Sequence, residues 1–392
     1  MHTLFWALLV LFLFGALLRM DWVYYLAYVV GGLWLFSTWS VRRSLAHLEV
    51  TRQFGERAFV GQQIPVRLRV SNRSRLPIPW LRIEERVPLD LKDLADYHVA
   101  VPVGGRGMSE HHYTLLAKRR GYYPLGPVSL RNGDLFGFAE SSWEESNPPH
   151  VTVYPLIVPL QDLGLPSRIP LGGRPSTQRL YEDPARLSGV RAYAGGDSQR
   201  RIHWKASAHA GELLVKKFQP AIGLNVMVLL DFATAAYEGK YRIATGEWAV
   251  TIAASLAAWV AGERLPVGLH VNGRDAASQG AAAELPPRTG QAQLMAILST
   301  LARAELADDA PSCADWLTPR LPGLEWGTTV LLVTPRVNDE LLWVLHQACR
   351  RGSSVLLLHC AGQVDGRVMQ ARAKQLGINM IPTLWEKDLQ AI

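Results

Sequence analysis

The densest chemistry in this 392-residue chain sits in one stretch, GVRAYAGGDSQRRIHWKASAHAGELLVKKF, residues 189 to 218. Arginine forks (Arg191, Arg200, Arg201), one acid (Asp197), the planes of Tyr193, His203 and Trp204, and Lys205 are the parts of a hydrogen-bonded ionic network: guanidinium for carboxylate, with aromatic faces to stack it. Gly195 and Gly196 supply a turn before Asp197. This predicts that Asp197 accepts hydrogen bonds from one of Arg191, Arg200 or Arg201 and that Trp204 is buried. Asp197, His203 and Ser207 are also the residue types of a hydrolytic triad. No strained nucleophile elbow or oxyanion-hole glycines surround Ser207, so the network reading is preferred.

The same region carries most of the chain's charge. Residues 168 to 220 hold ten Lys or Arg against four acids, a net of +6 in a chain whose total is +7. Such a patch suits an anionic headgroup or an acidic protein partner. Nucleic acid is not expected, since no helix-turn-helix, zinc-finger or RNA-binding signature accompanies the charge. Cys313, Cys349 and Cys360 form neither a CxxC nor a Cys/His metal spacing, which argues against a disulfide scaffold and a zinc module. His111 and His112 point to opposite faces of one strand and cannot share a metal.

The elements that position these groups fall into three kinds. Residues 3 to 18 and 22 to 41 carry no charge and are separated by Arg19-Met20-Asp21; as helices they reach about 24 and 30 Å, near the thickness of a bilayer core. Trp22, Tyr24, Tyr25 and Trp39 mark the ends, and Arg42 and Arg43 follow the second span, so a hairpin with both termini in the cytoplasm is predicted. From Gln62 the period changes to two: Ile64, Val66, Leu68 and Val70 alternate with polar residues, and Leu81, Ile83, Glu85 and Val87 repeat the pattern. With His111 to Ala117, Pro127 to Leu130 and His150 to Tyr154, these predict an antiparallel β-sandwich. After Leu224, apolar strands alternate with helices: strand to Asp231, helix 243–262, strand 265–271, helix 291–304, strand 328–334, helix 338–350, strand 353–359, helix 364–376. That order predicts a doubly wound parallel sheet with Asp231 at the carboxyl end of its first strand, where ligands bind such sheets.

The run Arg191, Tyr193, Gly196, Asp197, Arg201, Ile202, His203, Trp204, Lys205, Ser207 and Ala208 resembles the signature of the bacterial domain-of-unknown-function 58 family. The upstream RRGYYPLGPVSLRNGDLFGF, residues 119 to 138, is similar to its Arg-Gly-x-Tyr, Leu-Gly-Pro and Asp-x-Phe-Gly elements. Ala192 and His209 depart from it, standing where an acid and an arginine are common. The resemblance implies a membrane-anchored protein with a β-sandwich and a von Willebrand factor A-like domain, often encoded beside MoxR-type AAA+ ATPases. In von Willebrand A-type domains an Asp-x-Ser-x-Ser motif at the first strand end holds a divalent cation. Here those positions are Asp231, Ala233 and Ala235, which leaves one carboxylate and no hydroxyls, so no metal is expected.

The resulting expectation is a multi-domain chain: two transmembrane helices (1–41), a β-sandwich (45–160), a basic linker with the family motif (161–220) and a von Willebrand factor A-like α/β domain (221–392). It would be a multi-pass protein of the bacterial inner membrane, its bulk cytoplasmic. Its role would be that of an interaction scaffold, with a MoxR-type AAA+ ATPase as partner and no cofactor or small-molecule substrate. The alternatives are a peripheral sensor of anionic lipid, with the basic stretch against headgroups, and an enzyme whose active site is not recognisable.

Overall fold

The computed structural model describes residues 2–18, 21–92, 97–134, 136–161, 163, 181–194, 198, 201–221, 225–237, 239–362 and 366–390. They divide into two compact units, Met1–Leu156 and Ile157–Ile392.

The first unit begins with two helices, α1 (His2–Leu18) and α2 (Asp21–Leu45), which pack together and set Phe12 edge-to-face with Tyr24, ring centroids 5.2 Å apart. Ten strands follow: β1 (Leu48–Phe54), β2 (Arg57–Phe59), β3 (Gln63–Asn72), β4 (Ile78–Glu85), β5 (Tyr97–Val103), β6 (Met108–Leu116), β7 (Gly121–Pro124), β8 (Val128–Gly133), β9 (Glu140–Glu144) and β10 (His150–Tyr154). They form sheets in the orders β1-β3-β6, β5-β4-β8-β9 and β2-β10-β7, antiparallel except for the β2–β10 pair. The alternation in β3 does what period two requires: Ile64, Val66, Leu68 and Val70 are all buried. Leu68 and Val70 meet Leu81 and Ile83 of β4 and Val128 and Leu130 of β8 in one core cluster, which Leu45 at the end of α2 also enters.

By length and hydropathy, one helix among the described residues passes as a candidate membrane span, Arg242–Gly262, and it is mostly buried. Neither N-terminal helix meets that criterion. Yet both leave large apolar side chains exposed, among them Phe5, Trp6, Leu13, Leu35 and Phe36.

An ion pair that hydropathy patterning does not reveal lies inside this unit. Glu85 ends the apolar alternation of β4, and its fully buried carboxylate lies 3.0 Å from Arg52 Nε. The Tyr113 hydroxyl donates to the same carboxylate, and Arg52 Nη2 reaches Glu145 at 3.0 Å. Burial raises the Glu85 carboxyl above its usual range, with Arg52 and Tyr113 pulling it back in part. Gly126, at φ +116°, stands against this pair; a Cβ there would come within 3.0 Å of Glu145 Oε2 and 3.1 Å of Arg52 Nη2. A side chain there would have to displace these groups by a few tenths of an ångström, in a backbone conformation that non-glycine residues rarely adopt.

The second unit opens with a hairpin, β11 (Tyr181–Ala192) and β12 (Leu214–Ala221), and between them the short helix α3 (Trp204–Ala210). The residues expected as a linker thus contain paired strands. Beyond it come β13 (Val226–Asp231), α4 (Arg242–Gly262), β14 (Val267–Asn272), β15 (Arg274–Asp275), β16 (Leu285–Arg288), α5 (Gln291–Arg303), β17 (Ala304–Glu305), α6 (Cys313–Leu317), β18 (Thr329–Thr334), α7 (Asp339–Arg350), β19 (Ser354–His359), α8 (Gly366–Gln375), β20 (Asn379–Pro382) and α9 (Glu386–Gln390). Six strands form one sheet, β16-β14-β13-β18-β19-β20, parallel except for β16. This is an α/β domain. Its central strands are buried along their whole length, as parallel strands covered on both faces are. Leu229, Leu332 and Leu357 face Leu341 and Leu345 of α7, and α4 and α5 pack on the sheet as well. Asn338 caps α7, its side chain accepting from the Leu341 amide at 2.9 Å.

Arg52→Ala removes one partner of a buried pair and should destabilise the first unit by about 3–5 kcal/mol, whereas Arg69→Ala, whose pair is exposed, should cost far less. Chemical denaturation of the two variants checks the difference.

Candidate functional site

Two places in the second unit bear the residues that sequence reasoning singles out. The first is the carboxyl edge of the sheet. Asp231 is the last residue of β13 and lies between β14, ending in Asn272, and β18, ending in Thr334. The apolar strands therefore deliver three polar residues to one point. Asn272 Nδ2 donates to Asp231 Oδ1 at 3.2 Å and to the Pro311 carbonyl at 3.0 Å. The Thr334 hydroxyl lies 3.0 Å from Asp231 Oδ2, and the Ala233 amide 3.4 Å from Oδ1. The Tyr237 hydroxyl donates to the Asp231 carbonyl at 2.7 Å.

Asp231 is 1 % exposed. Burial raises its carboxyl above the usual range, and bonds from Thr334, Asn272, the Ala233 amide and the Cys313 thiol offset part of that. Burial likewise pushes the thiols of Cys313 and Cys360 up, with the nearby Asp231 charge adding to it. Neither is a ready thiolate nucleophile. Ala233 and Ala235 bring no oxygen, and the Asn272 amide, its orientation set by the Pro311 carbonyl, aims a donor at the carboxylate where a cation would need a lone pair. These residues do not fit a divalent ion. Among the described residues no group of three or more His, Cys, Asp or Glu could hold one.

Beside Asp231, at the same edge, lies an open groove of about 930 Å³ lined by Tyr237, Tyr241, Trp248, Arg336, Leu384 and Trp385. Trp248 is held by donating from Nε1 to the Thr383 carbonyl at 2.8 Å. Tyr241 and Trp385, by contrast, are 61 % and 73 % exposed. Leu384 and Trp385 lie beyond the last strand, in a segment whose alternation is too short to read from sequence; the aromatic in an otherwise polar tail was the available signal.

The second place is the motif. His203 caps α3, its Nδ1 accepting from the Ala206 amide at 3.2 Å, and its own amide donates to the Leu214 carbonyl at 2.8 Å. Ser207 is buried, and its hydroxyl accepts from the Leu214 amide at 2.8 Å. Gly211 closes the helix at φ +72°, the left-handed conformation glycine adopts freely. Ile202 bridges to Val215. The His203 and Ser207 side chains are thus committed to backbone amides of α3 and β12 rather than to each other. Gly196, Asp197 and Arg200 lie outside the described residues, and with them the expected Asp197 ion pair. Arg191, Arg201 and Lys205 are exposed; Arg191 Nη1 donates to the Ala192 carbonyl at 3.2 Å. Tyr193 is half-buried, and its amide donates to the Leu213 carbonyl at 2.8 Å. Trp204 corrects an expectation: it is 67 % exposed, not buried. Helical side chains lean toward the N-terminus, and as the first residue of α3 Trp204 has no preceding turn to cover.

Residues 189–317 match the family model described as Protein of unknown function DUF58, so the resemblance read from sequence is borne out over that segment. Uncharacterized protein YeaD of Bacillus subtilis (strain 168) is 24 % identical over 202 residues, 50 % of this chain and 50 % of its own; the chain spans about half the length of that curated relative. Among solved structures, a von Willebrand factor type A protein from Catenulispora acidiphila covers 45 % of this chain and 42 % of its own at 10 % identity and a TM-score of 0.30. A CARDB domain from Pyrococcus furiosus covers 27 % of this chain and 91 % of its own at 14 % identity and a TM-score of 0.20.

Two outcomes follow. Ser207→Ala leaves the part-buried Leu214 amide without its partner and should cost about 1 kcal/mol, read by thermal melting. Because the Asp231 carboxyl is raised in the folded state, that state holds its proton longer than the unfolded chain, and stability falls as pH rises from the ordinary carboxyl range through the raised value. Asp231→Asn removes this loss, so the variant should gain on the wild type in melting temperature between acid and neutral pH. A wild type that gains on the variant instead shows an ionised, stabilised carboxylate.

Proposed function

With residues 189–317 matched to DUF58 as the premise, we propose that this chain is an interaction scaffold anchored in the bacterial inner membrane. In this reading α1 and α2 cross the bilayer, the antiparallel sheets form a sandwich below them, and the α/β domain presents its carboxyl edge to a cytoplasmic partner. The partner class is a MoxR-type AAA+ ATPase. The observation that carries the scaffold role is the groove at that edge, where exposed Tyr241 and Trp385 stand over a mostly apolar wall that also holds Arg336 and Glu386. Tyrosine and tryptophan are the side chains that dominate binding energy at protein interfaces, because they bury large areas and lose little rotamer freedom. Anchoring is supported by the apolar side chains that α1 and α2 leave exposed, by Trp39 at the end of α2 and by Arg42 and Arg43 after it.

The test is capture of a purified MoxR-type ATPase by the full-length chain in detergent, with and without ATP. Retention is expected, together with at least a tenfold loss of affinity, about 1.4 kcal/mol, for the double variant Tyr241→Ala, Trp385→Ala. No retention in either nucleotide condition removes the partner, and retention untouched by the double variant removes the groove.

A further inference from the structure

The turn between β8 and β9 is built to hold aromatic rings outside the core. Asp134 accepts from the Ala139 amide at 2.9 Å and from the Phe136 amide at 3.3 Å, and Gly137 takes φ +75°, a turn whose own side chain substitutes for backbone partners. Phe136 is 60 % exposed, and its ring stacks on Phe138 with centroids 5.7 Å apart. Trp80 of β4, also exposed, lies alongside Gly133, with ring atoms 3.4 Å from where a Cβ there would stand. Neither ring belongs to this unit's core clusters: Phe136 is exposed and Phe138 half-buried. A turn that displays such a pair calls for an apolar occupant.

The position of the turn along α2 identifies that occupant. The buried stripe Ser37, Val41, Ser44 and Leu45 lays the last turns of α2 on β8 and β9, and Asn132 Nδ2 reaches the Val41 carbonyl at 3.5 Å. One step further out along β8, Asp134 comes beside Ser37, which is buried on this face of α2. In these same turns the other side of α2 still exposes Leu35, Phe36 and Trp39, with Arg43 set over the Trp39 ring at 5.6 Å. A tryptophan followed by an arginine one turn later marks a headgroup layer. Ser37 lies two residues nearer the apolar end than Trp39, about 3 Å along the axis. With α2 as a span, the turn that carries Phe136 follows the part of β8 nearest Ser37 and so stands about level with the boundary of the lipid, on the side of α2 that the sheets occupy.

We propose that the β8–β9 turn is a second membrane contact, in which Phe136 and Phe138 enter the headgroup–acyl boundary and seat the sheets against the bilayer. This rests on the reading of α2 as a span. It gives the Asp-x-Phe-Gly element, Asp134, Phe136 and Gly137, a role: the acid and the glycine shape the turn, and the phenylalanine meets lipid. Tilting of the sheets about the end of α2 is restrained as a consequence.

The experiment is photo-cross-linking of the full chain in vesicles of phosphatidylethanolamine and phosphatidylglycerol, with p-benzoylphenylalanine placed singly at Phe136, at Leu35 on the exposed side of α2, and at Gln62 at the opposite end of β3. Lipid adducts are expected at positions 136 and 35 and not at 62; a repeat at Phe138 should match 136. Adducts at 35 with none at 136, or a polypeptide adduct at 136, overturn this proposal and leave the span intact. Adducts at neither 136 nor 35 overturn both.

Discussion

Helix α2 serves two apolar environments: Val23 and Ala27 in its first turns are buried, and Val41 and Leu45 in its last turns lie against the antiparallel sheets, Leu45 within their core. Because an α-helix transmits its orientation rigidly over such a length, the sheets cannot move independently of the hairpin. Hydrophobic burial at Leu45 and the polar contact at Val41 fix the join. Whatever surrounds the exposed flank of α2 therefore also sets the height of the β8–β9 turn.

The α/β domain shows the opposite economy at its active-looking edge. Three strands bury apolar residues throughout and expel their polar termini to one point, where Asp231, Asn272 and Thr334 satisfy one another. In a sheet of this topology that point is where ligands bind. Here the hydrogen-bonding capacity is consumed internally, and an exposed aromatic groove lies alongside. The bonds these donors make offset part of the cost of burying the carboxyl.

Much of this was legible from residue order. The α/β alternation after Leu224 is strong because parallel strands are continuously apolar and amphipathic helices separate them; α4, α5, α7 and β18 fall within a residue or two of their expected bounds. The alternation of β3 located its buried face. β9, an edge strand of sequence ESSWE, carries no period-two signal because neither face is consistently buried. β5 does alternate, with Val99, Val101 and Val103, a period-two signal of the same kind as that of β3. The pairing of Arg52 with Glu85 joins residues of different sheets, and no local pattern encodes it.

The amino-acid sequence by itself determined the periodicities, the apolar lengths at the start, the local charge and the missing oxygens at positions 233 and 235, since each depends only on residue type and near neighbours. Tertiary structure alone decided the rest. It turned Trp204 outward at the start of a short helix, committed His203 and Ser207 to backbone partners, ringed Asp231 with donors, and laid Ser37 and Val41 of α2 on β8 and β9. Those outcomes depend on which distant residues share a location, and chain order does not specify that until hydrophobic burial has chosen the fold.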